Sequence, residues 1–245
     1  MHRLVRDWRR LILTAAAAAG VLLAPAIALA DGLFYQLPAD GASAKFDMQM
    51  KGGPPGSDHE MNGSLTMSSV GRIEHDGQPA RWIEVKLTMK QDGGEQTIVG
   101  KTLILEKHLK RGENPFANFI KCYVRHGSSE VKEVKDASGD DAGPLPAFLS
   151  GPLDEAKELP EAETDSALGK AACKGVTGKL EVPEGDRKVH VDFENRLHER
   201  APFGVVTSTM KFNVKHDGES RESGVIELKL AEIGMGAKSE LPDSN

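Results

Sequence analysis

One stretch, residues 80–106 (ARWIEVKLTMKQDGGEQTIVGKTLILE), constrains the fold more than any other. Ile83, Val85, Leu87 and Met89 alternate with Glu84, Lys86, Thr88 and Lys90. A period of two places one set of side chains on each face of a strand. Asp92-Gly93-Gly94 follows, and these residues tolerate the positive φ of a tight hairpin. A second extended run then carries Ile98, Val99, Leu103, Ile104 and Leu105. A lone hairpin cannot bury its apolar face in water, so the remaining chain must add strands to this one.

Such strands are legible on both sides. Over 43–51, Phe46, Met48 and Met50 share one face while Lys45, Asp47, Gln49 and Lys51 share the other. Residues 61–67 continue the pattern after a Gly/Pro loop, and further strands are expected over 172–180, 189–197, 203–214 and 224–231. Between the two groups the period changes. Asn114-Pro115 makes a good helix start, and Phe116, Phe119, Ile120, Tyr123 and Val124 are spaced for one helix face, which predicts a helix over 115–125. Residues 136–168 form an acidic, proline-containing connection, expected to be an exposed loop apart from an apolar turn over 145–153. The expected fold is mainly β with some α: a strongly curved antiparallel sheet, or open half-barrel, of about eight strands with one or two helices against it. Phe46, Met48, Met50, Leu65, Met67, Ile83, Val85 and Leu87 should converge on its inner face.

The N-terminus argues for export. Arg3, Arg6, Arg9 and Arg10 precede an Ala/Leu-rich run that ends Ala28-Leu29-Ala30, the pattern of a cleaved secretory signal peptide. The expectation is a signal peptide over 1–30 and one β-rich domain over 31–245, periplasmic or secreted, with no transmembrane segment once the signal is gone. The full chain carries a net charge of −6, and loss of the arginine-rich leader makes it more acidic. An acidic protein lacks the basic patch that nucleic acid requires. Cys122 and Cys173 could pair in an oxidising compartment, and the spacing rules out the C-x-x-C arrangement of a thiol redox or zinc pair.

Chemistry-bearing motifs are sparse. Gly234-Met235-Gly236-Ala237-Lys238-Ser239 lacks the adjacent Gly-Lys-Ser of a phosphate loop and has no helix after it. His190, Asp192 and Glu194 share one strand face and are weak candidates for a metal, without any recognised ligand spacing. No cofactor is implied. The methionines are more suggestive. Phe46, Met48, Met50, Met67 and Leu87 are the candidates for contact with an apolar ligand, because Met adapts to variable apolar shapes. Ordinary core filling is the stronger reading of these methionines, and a ligand cavity the lesser one. The leading class is a non-enzymatic envelope or extracellular protein that takes an apolar small molecule or lipid; the alternative is a carboxylate- or metal-dependent hydrolase.

At EKHLKRGENPF, GPLPAFLSGPL, ERAPFGVVTS and GAKSELPDS the chain resembles uncharacterised secreted proteins of planctomycete-type bacteria, a group that brings no activity with it. More distantly, a signal peptide followed by a curved antiparallel sheet is similar to periplasmic lipoprotein-carrier proteins. That similarity implies a half-barrel sheltering acyl chains, and it is a likeness of fold alone.

Overall fold

Period-two alternation becomes strand pairing along nearly the whole chain. The computed structural model describes residues 32–53, 59–91, 94–110, 112–135, 151, 153–184, 187–216 and 219–241. The strands are β1 (Ser43–Gly53), β2 (His59–His75), β3 (Gln78–Gln91), β4 (Gly94–Leu105), β5 (Phe119–His126), β6 (Lys132–Val134), β7 (Asp154–Ser166), β8 (Gly169–Glu184), β9 (Arg187–Leu197), β10 (Val205–His216) and β11 (Glu219–Gly234). They form one antiparallel sheet in the order β6-β5-β4-β3-β2-β1-β11-β10-β9-β8-β7. The sheet is therefore two meanders, and they join where the first strand pairs with the last. It is not closed, since β6 and β7 are its two edges.

Eleven strands replace the eight expected: β5 comes from the segment read as a helix, the short β6 (Lys132–Val134) follows it unforeseen, and β7 comes from the acidic connection. The helix expected over 115–125 does not form. Asn114 Oδ1 does accept a hydrogen bond from the Ala117 N–H, but the 3-10 turn it starts lasts only over Phe116–Asn118. Phe119–His126 is β5. Its apolar residues serve both faces: Cys122 and Val124 join the main core, while Tyr123 packs against Trp82 on the other side. A segment buried on both faces reads as a continuous apolar run, which imitates helix spacing. The second misreading lies in the acidic connection. Asp154–Ser166 is strand β7, although its pattern is mostly exposed. As an edge strand it has little to bury, and Pro160 and its charges discourage further pairing. Residues 136–150 lie outside the described residues, as do residues 1–31, where the signal peptide is expected.

No helical layer covers the sheet among the described residues, where the only helical elements are 3-10 turns at Glu106–His108 and Phe116–Asn118. Yet Phe46, Leu65, Met67, Ile83, Phe193 and Leu230 are fully buried. The sheet must roll over and cover its own face. Direct contacts agree. The turn between β7 and β8 reaches β11, with the Ala167 N–H donating to the Leu230 carbonyl at 2.9 Å across three intervening strands.

The N-terminal segment plugs one end of the rolled sheet. Leu33 and Phe34 are buried, and Phe34 meets Phe203 edge to face with ring centroids 5.3 Å apart. The Tyr35 N–H donates to the Phe203 carbonyl, and Asn195 Nδ2 donates to the Gly32 carbonyl. On the opposite side, the buried Arg81 guanidinium donates to the Pro38 carbonyl at 2.9 Å while pairing with Glu106 at 2.6 Å.

The C-terminal tail after Gly234 has no regular secondary structure and crosses the outside of the sheet. The Ala237 N–H donates to the Gly41 carbonyl. Ser239 Oγ donates to Glu84 at 2.6 Å, and the Glu240 N–H donates to the same carboxylate at 3.1 Å. Leu241 is buried with Val99 and Tyr123 in a small outer cluster.

Candidate functional site: the apolar inner face

Cross-strand register assembles the inner face as the alternation requires. Phe46 pairs with Leu65 on one side and Leu230 on the other, Leu65 pairs with Leu87, and Met67 pairs with Val85. In the second meander Met210 pairs with Ile226 and Phe193, and Phe212 pairs with Val191. Of the eight residues expected to converge, seven are buried in one continuous cluster, and Met50 is half-buried at its margin. What lies over them is the N-terminal plug and the far half of the same sheet, not a helix.

Burial along this face is graded. Near the plug the side chains are sealed. At the opposite end, where β1–β2, β3–β4, β8–β9 and β10–β11 turn, the inward positions stay apolar and are only partly covered. Met50, Met89, Ile98, Leu180, Phe212 and Ile226 make up this half-buried rim. Met50 stands opposite Met61 and Ile226. Glycine lets neighbouring groups pack closely here: a Cβ on Gly224 would lie 2.8 Å from the Phe212 ring, and one on Gly63 would collide with the Thr88 carbonyl and meet the Met48 methyl at 3.0 Å. Ordinary tapering leaves polar groups at the end of a rolled sheet. This end keeps apolar ones.

Of the five ligand candidates, Phe46, Met48, Met67 and Leu87 are buried in the middle of the face, and Met50 alone reaches the rim. Ile98, Leu180, Phe212 and Ile226 were not singled out by sequence, though each has inward parity close to a turn. Both cysteines belong to the same interior. Cys122 and Cys173 are buried and free, so the bond left open by the sequence is not what this structure holds. Burial pushes the Cys122 thiol up, partly offset by the hydrogen bond from Thr102 Oγ1.

Along β8 and β9 the outer face is polar and carries ion pairs. His190, Asp192 and Glu194 lie on it as expected, but two of them are engaged: His190 Nδ1 is 3.2 Å from Glu181, and Glu194 is 3.2 Å from Arg196. Among the described residues no group of three metal-ligating side chains comes together. The hydrogen bond from Lys188 holds the Glu181 carboxyl below its ordinary range. Glu155 is lowered by its hydrogen bond with Lys179, which is raised in turn. Each shift favours the charged form, because the partner is an opposite charge.

A rolled, unclosed antiparallel sheet with one sealed end and one apolar end is the class that fold and site define. No family model matches the chain, and no curated protein sequence matches it. Among solved structures it is similar to a protein of YmcC-like fold from Bacteroides fragilis, described as exported, with 9% identity and a TM-score of 0.37, over 82% of this chain and 99% of that one. It is also similar to a DUF1329 family protein from Desulfovibrio piger, with 10% identity and a TM-score of 0.32, over 84% and 88%. A β-barrel-like DUF1849 protein from Brucella abortus aligns at 9% identity with a TM-score of 0.18, over 82% and 98%. Among the described residues no helix is long and apolar enough to cross a membrane.

Proposed function

We propose that this chain is an exported, non-enzymatic envelope or extracellular protein that shields an apolar ligand, of the acyl-chain type, inside its rolled sheet. The observation that carries the reading is the half-buried apolar rim at Met50, Met89, Ile98, Phe212 and Ile226, opposite the sealed end. An apolar rim leading to a Met-rich interior suits a flexible hydrocarbon, since Met side chains repack at low cost. On the outer face Glu181 and Lys179 are held in their charged forms by opposite charges, as suits a solvated surface.

The test is native mass spectrometry of the exported protein, followed by thermal shift with palmitate and a lysophospholipid. Saturable binding should raise Tm, because a ligand at about a hundredfold excess over its Kd stabilises the folded state by about 2.7 kcal/mol. Ile226→Asp at the rim should abolish the shift while leaving the fold intact. Failure of both lipids to bind or to stabilise would remove the proposal.

A further inference from the structure

The plugged end carries a concavity that adjoins the core at Tyr35 and Leu197. It has a volume of about 330 Å³ and is lined by Tyr35, Glu161, Lys174, Leu197, His198 and Glu199. Three features build it. The register of β7 against β8 slips between Leu159 and Ala162, so Pro160 and Glu161 bulge out of the ladder. Arg196 Nη1 fixes that bulge by donating to the Pro160 carbonyl at 2.7 Å. Bulges re-aim a side chain in this way next to binding sites. The back wall is the loop between β9 and β10, pressed onto the N-terminal segment so closely that a Cβ on Gly204 would lie 2.6 Å from that of Tyr35. Gln36 Nε2 ties the same loop down by donating to the carbonyls of Glu199 and Ala201.

The polar groups in this cleft are oriented but not spent on one another. The Arg200 N–H donates to His198 Nδ1 at 3.1 Å, which leaves Nε2 as the nitrogen carrying the ring proton and makes it a donor. The side chains of Glu161, Lys174 and Glu199 have no hydrogen-bond or ion-pair partner among the described residues. Lys179 and Lys188, further along β8 and β9, are by contrast each matched to a glutamate. One cleft thus holds two carboxylates, an ammonium and an imidazole donor around the apolar surface of Leu197 and Tyr35.

We propose that this cleft binds a small zwitterion of dipeptide size. Its ammonium lies between Glu161 and Glu199, its carboxylate accepts from Lys174 and His198 Nε2, and its apolar side chain rests on Leu197. The volume is at the small end of ligand sites, which fits such a molecule. The site is independent of the acyl-chain reading.

Titration of L-alanyl-L-leucine into isotope-labelled full-length mature protein, followed by amide NMR, tests it. Saturable shifts are expected at residues 161, 174 and 197–199. Lys174→Gln should weaken the dipeptide about three- to fivefold yet leave its C-terminal amide unaffected, the size expected for a partly solvated charge contact. Glu161→Gln should do the same for the free dipeptide but not for its N-acetyl form. Both positions are exposed, so the variants fold and distant resonances stay in place. Equal binding of the blocked dipeptides, variants that bind like the parent, or no saturable shift up to the solubility limit would each overturn the proposal.

Discussion

Met48 and Met50 stand two residues apart on β1 with the same inward parity, and their surroundings differ. Met48 is sealed between Gly63 and Leu228, whereas Met50 meets Met61 and Ile226 at the rim. Met48→Ala should therefore cost about 2–5 kcal/mol, the range for a buried methionine whose cavity cannot collapse. Met50→Ala should cost about 1 kcal/mol, because less apolar area leaves water there. Urea denaturation of the two variants checks the ratio; equal losses would mean that the rim is as well packed as the centre. The thiols give a second residue-scale expectation. Buried and unbonded, Cys122 and Cys173 should resist iodoacetamide in the native protein, and both should react in unreduced urea. A mass showing no alkylation in urea would reveal a bond. Parity along β1 to β4 was legible in the sequence because alternation is a local signal. Depth along the strand was not, since it depends on which end the plug fills, and the plug is made by residues far away in sequence.

At the scale of elements, the outer ladders and the tail each carry a prediction. Lys45, held up by its hydrogen bond with Glu232, and Lys179, held up by Glu155, have pKa values raised in the folded state. Their contribution is complete below the ordinary lysine value and is lost as pH rises through the folded one. Glu155 and Glu181 are lowered, so their contribution holds above the ordinary glutamate value and is lost as pH falls through the folded one. All of these groups are exposed and screened. Tm should be flat from about pH 6 to pH 9, fall gently at both ends, and flatten further in high salt. A steep change near neutrality would contradict it. The tail is held by one apolar anchor, Leu241, and by donors to Glu84. Leu241→Ala should undock it locally, and hydrogen exchange at 239–241 should accelerate well before Tm moves. Unchanged exchange there would mean that the Glu84 contacts suffice alone. The β5 and β7 strands were hidden from the sequence for opposite reasons: one is apolar on both faces, the other on almost none. Neither gives the alternation that marked β1 and β3.

At the scale of the whole molecule, the two meanders depend on each other through the pairing of β1 with β11, from Ser43 opposite Gly234 to Gly53 opposite Ser223. A chain ending at His216 would lose β11 and leave β1 and β10 as unpaired edges over an uncovered interior. We predict that this truncated chain is digested by protease as fast as an unfolded one, while the full chain resists; a protected N-terminal fragment covering β1 to β6 would show instead that the first meander folds alone. Most of the other pairings are between neighbours in sequence, so this one long-range seam should set the folding rate. It also sets a clock. β1 must wait for β11, which is made well over a hundred residues later, before the two meanders can join. Until residues 219–234 are available, β1 therefore has no partner on its β11 side, and its row of backbone groups there stays open to water.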